Sequence, residues 1–377
     1  MIDATQSDSR FIYKTEGFIR EDGKNKSVEV FPEDLIISNS ATPGLPRIMK
    51  IHACIHDGWL LASNFRGVTR DYLLYQVKYL RKYLVNQGSG SIFTNLKTDI
   101  LKEFPIQIPV DDNGELDEEA QSRIAKILTN IEDKIENNVS VRSDLKAFSR
   151  LLYNYWFVQF DFPDKNGRPY KASGGEMIYN ETLKREIPKG WKVCSILDAV
   201  DWIGGAQPPK STFIYEEKDG YVRFIQNRDY ADDNNKTWIP ESKSNKICSR
   251  FDIMMDKYGD AGRIRFGLAG AYNVALAKID VKNPKMREYI RGFLDSDATY
   301  RYLYNACMAS TRASLNEEIL GNLDIVIPDD YVLERYQGVM EKYIRMVLDL
   351  NDEDKELSSL RDWLLPMLMN GQVKIAD

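Results

Sequence analysis

The sequence predicts an α/β chain of two similar globular modules separated by two long antiparallel helices. Three observations carry this: a strand–turn segment that recurs about 218 residues downstream, a proline-closed strand that recurs at nearly the same offset, and two helical stripes about 212 residues apart. With 377 residues, 43% apolar and 29% charged, the chain is long enough for two or three cores, and 21 Tyr plus 15 Phe exclude a disordered polymer. The longest apolar run, around Trp363 to Met369, falls well short of the ~20 residues that cross a bilayer. Met1 leads into Asp3, Gln6 and Asp8 rather than a basic and then apolar leader, so a soluble, cytoplasmic protein is expected. Cys54, Cys194, Cys248 and Cys307 lack CxxC spacing, which fits reduced thiols.

The first copy reads Asp34-Leu-Ile-Ile-Ser-Asn-Ser-Ala-Thr-Pro-Gly44-Leu-Pro-Arg47. The second reads Asp252-Ile-Met-Met-Asp-Lys-Tyr-Gly-Asp-Ala-Gly262-Arg-Ile-Arg265, an ungapped pairing. Each is a short strand running into a glycine turn with an arginine three residues on. Further along, Gly90 to Leu96 and Ile100-Leu101 match Ala309 to Leu315 and Ile319-Leu320 at an offset of 219. Each stretch predicts a short amphipathic helix and then an alternating strand, Phe104-Pro-Ile-Gln-Ile-Pro109 in one copy and Leu323-Asp-Ile-Val-Ile-Pro328 in the other.

Helical spacing follows each closing proline. Ile124, Leu128, Ile131, Ile135, Asn138, Leu145, Phe148, Leu152 and Tyr155 are answered by Tyr336, Met340, Tyr343, Val347, Leu350, Leu357, Leu360 and Leu364. The first copy carries a loop about seven residues longer, the acidic Asp111 to Asp117 segment. Each helix is expected to run some 30–40 residues, with a break near Asn351-Asp352, and two such stripes bury each other most simply as an antiparallel coiled coil.

The formal charge of −6 argues against a phosphate partner at first sight. Residues 1–112 carry 14 basic and 14 acidic side chains, 186–328 carry 20 and 20, and 329–377 carry 6 against 11, so the excess lies in the last segment. Two neutral modules leave a basic face open to either.

Several strings, in the right order and in duplicate, resemble the DNA specificity subunit of type I restriction–modification systems. They are Leu360-Arg-Asp-Trp-Leu-Leu-Pro-Met-Leu-Met-Asn-Gly-Gln372, Ile187-Pro-Lys-Gly-Trp191 leading to Leu197-Asp198, Gly204-Gly-Ala-Gln-Pro-Pro-Lys-Ser211, and the Ser/Thr-rich turns before Leu96 and Leu315. The resemblance spans nearly the whole chain. It implies target recognition domains at 1–112 and 186–328, conserved long-helix regions at 113–160 and 329–377, and a linker at 161–185. The second copy opens with about 33 residues, Glu186 to Lys218, that the first lacks, which implies a first domain shortened at its N-terminus. The family's partners are double-stranded DNA, two methyltransferase subunits and the restriction/translocase subunits. The family also implies a role in phage defence, with S-adenosylmethionine and ATP on the partner subunits and no cofactor on this chain. A bipartite target needs a stiff spacer, and 35–40 helical residues span roughly 50–60 Å, about 15–18 base pairs.

Sequence readout needs Arg for guanine, Asn or Gln for adenine, and Lys or hydroxyls for phosphate. The candidates in the first module are Asn39, Ser40, Thr42, Arg47, Arg66, Ser91, Thr94 and Lys97. In the second they are Lys210, Ser211, Arg223, Gln226, Asn227, Arg228, Lys257, Tyr258, Arg263, Arg265, Ser310, Thr311 and Arg312. Arg47, Arg263, Arg265 and the turn before Leu315 stand out because they recur at matched positions; the ordinary alternative for each is a solvated turn residue.

Rival signals are weaker. His52-Ala-Cys54-Ile-His56 puts three ligand types on one strand face but lacks a fourth, and Pro163-Asp164 with Glu216-Glu-Lys218 is a loose nuclease pattern. No Walker loop, nucleophile elbow or dinucleotide fingerprint surrounds the turn glycines. Gln207-Pro-Pro-Lys210 is the nearest approach to an amino-methyltransferase motif and differs at both ends. The chain is therefore expected to hold neither catalytic residues nor a metal. The competing expectation is a coiled-coil assembly protein that binds only protein.

Overall fold

A computed structural model of the chain describes residues 9–40, 42–86, 96, 98–309, 314–373 and 375. It divides into two compact units, Met1–Ser140 with Asn351–Asp377 and Val141–Leu350. In chain order the helices are α1 (Arg70–Asn86), α2 (Thr98–Glu103), α3 (Glu118–Tyr153), α4 (Ile196–Ala199), α5 (Arg287–Asp295), α6 (Asp297–Met308), α7 (Glu317–Gly321) and α8 (Asp330–Met369). No described helix is long and apolar enough to cross a membrane.

In the first unit one sheet runs in the order Phe11–Ile12, Pro46–Met49, Leu35–Ser38, Trp59–Ala62, with only the first pair parallel. A two-stranded ribbon, Val28–Val30 with Ala53–Ile55, lies apart from it in the hydrogen-bond pattern. Leu35, Ile36 and Ile37 are branched and buried, as an inner strand requires. Tyr72, Leu74 and Tyr75 of α1 join Leu35 and Ile48 in a core that also takes Leu128 of α3 and Leu368 of α8. Asn138 of α3, fully buried, donates its amide hydrogens to Glu353 and Asp354 of α8, each at 2.8 Å. The pairing thus runs from Asn138 beside Glu353 to Leu128 beside Leu368, which is antiparallel.

The second unit has a sheet ordered Val200–Gly204, Leu276–Val281, Ile253–Asp256, Ile264–Arg265, all antiparallel. A second sheet runs Trp238–Pro240, Tyr221–Ile225, Gly270–Tyr272, Ile247–Cys248. Here too α3 and α8 run antiparallel: Arg142 donates to the Leu350 carbonyl at 3.3 Å, and Trp156, just past the end of α3, packs on Tyr336. The π-helical turn Asn154–Val158 ends the long helix and drops Trp156 and Phe157 into a cluster with Tyr289, Tyr336 and Trp191.

The internal repeat extends to single hydrogen bonds. Arg47 pairs with Ile36 across its hairpin as Arg265 pairs with Met254. The Gly44 amide donates to the Ser38 carbonyl and the Gly262 amide to that of Asp256. Leu96 donates to Asn39 as Leu315 donates to Lys257. Both long helices start at an aspartate cap, Asp117 accepting from the Ala120 amide and Asp329 from that of Val332.

The structure departs from the sequence expectation in three places. Asp324–Ile327 is a strand because Lys192–Ser195 pairs with it, whereas its counterpart at 105–108 has no such partner among the described residues and is not a strand. α8 shows no break at Asn351-Asp352, where Glu353 and Asp354 hold Asn138, and it continues through Pro366 to Met369. Phe148, Tyr155 and Leu360 of the apolar stripes are exposed. The two copies also differ from each other: the counterpart of α1 is two helices, α5 and α6, because Ser296 turns extended and caps the Thr299 amide.

Gly262 has φ +88°, and a Cβ there would lie 2.9 Å from that of Leu303. Gly262→Ala should therefore cost the second unit about 1–3 kcal/mol from the left-handed backbone and crowding together. Urea denaturation followed by hydrogen exchange in Ile253–Asp256 would check it, and an unchanged midpoint would contradict the assigned turn.

Candidate nucleic-acid interface

The second unit fixes three of the candidate side chains, Arg265, Asn227 and Arg263, around two carboxylates of its hairpin. Asp256, at the end of its strand, accepts from Arg265 Nε at 3.1 Å, Arg265 Nη2 at 2.9 Å and Asn227 Nδ2 at 3.0 Å. Asp260, in the glycine turn, accepts from Arg263 Nε at 2.8 Å and from the Tyr300 hydroxyl, and the Arg263 guanidinium stacks 4.3 Å over the Tyr300 ring. Burial holds the Asp256 carboxyl above its ordinary range even with Arg265 opposing, while Arg263 and Tyr300 bring Asp260 below it. Each arginine engages the carboxylates through one edge, so a planar donor edge is left pre-oriented for a ligand. Lys257 lies 5.9 Å from the ring of the exposed Tyr258 on the same turn.

The remaining candidates of this unit are held elsewhere. Arg223 pairs with Asp233 across a separate turn. Gln226 closes a reciprocal cap with Asp229, to which Arg228 also pairs at 3.6 Å while staying largely exposed. Lys210 and Ser211 stand exposed on the 3-10 turn Lys210–Thr212. Ser310, Thr311 and Arg312 lie outside the described residues.

In the first unit the matched turn carries no acids and binds itself instead. Asn39 Nδ2 donates to the Asp57 carbonyl, Ser38 Oγ donates to the Thr42 carbonyl, and Arg81 Nε ties Pro43 to α1 at 3.1 Å. Ser40 and Thr42 are half-buried in this turn. Arg47 is buried, with Nη1 on the Pro46 carbonyl at 3.2 Å, although its counterpart Arg265 is only half-buried. Arg66 is exposed. Ser91, Thr94 and Lys97 lie outside the described residues.

The rival sites have structural occupations. His52 Nε2 meets Glu29 at 2.9 Å and its ring stacks on Phe31, while His56 Nδ1 accepts from the Gly58 amide. Asp164 caps its own turn, accepting from the Asn166 and Arg168 amides. Among the described residues no group of three His, Cys, Asp or Glu is arranged to hold a metal. Sequence reasoning missed Asp256, Asp260, Asp233 and Tyr300. Only the Asp260–Arg263 spacing of three residues in a turn signalled any of these partnerships.

A model of the type I restriction modification DNA specificity domain matches residues 14–145. Over 374 residues the chain is 25% identical to the type I restriction enzyme MjaIX specificity subunit of Methanocaldococcus jannaschii, covering 94% of this chain and 81% of that protein. The HindI specificity subunit of Haemophilus influenzae is 21% identical over 404 residues, covering 90% and 86%. The chain belongs to the type I restriction–modification specificity subunits. The type I S subunit structure from M. genitalium shares the fold, with a TM-score of 0.56 at 14% identity over 92% of this chain and 84% of that one. In this specificity subunit the candidate interface is thus a pair of matched hairpins, one armed with carboxylate-held arginines and one not.

Proposed function

We propose that this specificity subunit, which is the non-catalytic targeting component of a type I restriction–modification system, reads a bipartite DNA target with one module per half-site. The observation that carries the reading is the duplicated hairpin, repeated down to its register and its turn bonds. Residues 1–112 and 186–328 are the target recognition domains in this reading, 113–160 and 329–377 the conserved helical regions, and 161–185 the linker. All the candidate side chains named above are its readout and phosphate-binding set, with Arg263, Arg265, Asn227 and Lys257 offering base-edge contacts and Lys210, Arg228 and Arg66 phosphate contacts.

Two methyltransferase subunits and the restriction/translocase subunits dock on the long helices, bringing S-adenosylmethionine and ATP with them. Exposed apolar side chains support this: Val139, Leu360 and Trp363 in the first unit, and Phe148, Leu151, Val339 and Met346 in the second. The cytoplasm, where the host DNA lies, is the corresponding compartment.

The test is a gel shift of the chain with its methyltransferase subunits across a salt series. If about six phosphates are contacted, affinity should drop by roughly 10³ between 50 and 200 mM salt. Methylome sequencing with and without the gene should show one bipartite adenine motif lost. A complex that assembles but shows neither effect would favour the protein-only coiled-coil reading.

A further inference from the structure

We infer that the first unit binds a strand–turn–strand segment of a second polypeptide along one sheet edge, Trp59–Ala62, and the unpaired segment 105–108. This rests on strand pairing alone and is independent of the DNA reading. The same interface is already formed inside the second unit. There Lys192–Ser195 pairs with Asp324–Ile327, Val200–Gly204 pairs with Leu276–Val281, and α4 joins the two strands. By the repeat, Asp324–Ile327 corresponds to 105–108 and Leu276–Val281 to Trp59–Ala62 and its flanks. Trp59–Ala62 pairs only with Leu35–Ser38, and 105–108 has no strand partner, among the described residues.

Exposure follows the difference. Ile279 is 2% exposed but its counterpart Leu61 is 36% exposed; Ile325 and Val326 are buried where Ile106 is half-buried and Gln107 exposed. α7 buries Leu320, whereas α2, its counterpart, buries no residue.

The backbone of 105–108 is oriented for a ladder. Tyr289 donates to the Val326 carbonyl from the core side, and Tyr72 donates to the Gln107 carbonyl at 2.9 Å in the same way. With the Gln107 carbonyl taken by Tyr72, the alternation of a strand formed here would turn the N–H and C=O groups of Ile106 and Ile108 to the other side. Pro105 and Pro109 share the inward parity of Gln107, and the Pro109 carbonyl accepts from Asp117, so neither proline breaks the edge.

The occupant is defined by the segment that fills the second unit: an alternating strand, a Ser-capped turn and a second strand. One position must differ. Leu197 lies 2.7 Å from where a Cβ on Gly321 would stand, and Gly321 is replaced by Lys102 in the first unit, so the occupant carries a small residue there.

The probe is a synthetic peptide of residues 187–206 bearing Leu197→Ala, added to the full chain with hydrogen exchange read by mass spectrometry. Amides at Ile106, Ile108 and the outer edge of Trp59–Ala62 should slow at least tenfold, more than with the unsubstituted peptide. Ile106→Pro should abolish the slowing while amides of Leu35–Ser38 report that the unit remains folded. Unchanged exchange at both edges, slowing confined to the second unit, or equal slowing by a scrambled peptide would each overturn the inference.

Discussion

Glu132→Ala will destabilise the first unit by about 3–5 kcal/mol, because it strips the single buried carboxylate that several cations share. Glu132 is almost wholly buried on α3. It accepts from the Tyr75 hydroxyl at 3.0 Å and from Lys78 Nζ at 2.5 Å, both on α1, and faces Arg10 at 3.9 Å and Arg361 of α8 at 4.0 Å. Arg10 keeps Asp133, but Lys78 keeps no comparable partner among the described residues. Burial already pushes the Lys78 amine below its ordinary value, against the pull of Glu132. With a depressed folded pKa, the unfolded chain binds more protons between that value and 10.5, so this group's contribution to stability rises with pH across the window. Removing Glu132 depresses the amine further and widens the window downward. Hydrogen exchange of α1 and α3 in urea, on the full chain, measures the cost. Lys78→Met in the Glu132→Ala background should recover part of it, since the penalty is an uncompensated charge. A cost under about 1 kcal/mol would show that the cluster is solvated rather than buried.

What the sequence made legible was whatever depends on spacing. The offset of 218 puts Arg47 and Arg265 at the same rung of the same hairpin, because strand period and turn chemistry are local. Stripe positions after the closing prolines located α3 and α8. Pairings fixed by distant segments were not legible. Phe104 to Pro109 and Leu323 to Pro328 read alike, yet only the second is a strand, since the difference lies more than 100 residues away in Lys192–Ser195. Likewise Arg10 and Glu132 are far apart in the chain, and no local rule joins them. The recurrent arginines were legible as residues, but not the carboxylates that aim them: Asp256 belongs to the strand that Arg265 pairs with, and its role needs the hairpin closed.

Those carboxylates divide the two hairpin arginines by what each holds together. Arg265→Ala leaves Asp256, whose side chain is 2% exposed, with the Asn227 amide as its remaining side-chain donor among the described residues, and should cost the second unit about 3–5 kcal/mol. The Asp256 carboxyl already sits above its unfolded value through burial, so in the window between the two values the folded chain binds more protons and stability rises as pH falls. Without Arg265 that window extends upward, and the cost of the substitution should be larger at pH 8 than at pH 5. Asp256→Asn in the same background should restore most of the loss. Arg263 and Asp260 are a partly solvated pair, with side chains 33% and 39% exposed, so Arg263→Ala should change stability by less than about 1 kcal/mol. Its effect belongs on DNA: loss of a phosphate contact lowers the salt slope by about one, whereas loss of a base contact costs roughly 1–3 kcal/mol at one position and leaves the slope intact. Chemical denaturation at the two pH values, beside the salt series, separates a residue that builds the reading surface from one that reads. Equal, pH-independent losses for both arginines would mean that Asp256 does not organise this surface, and Arg265 would then act only as a contact.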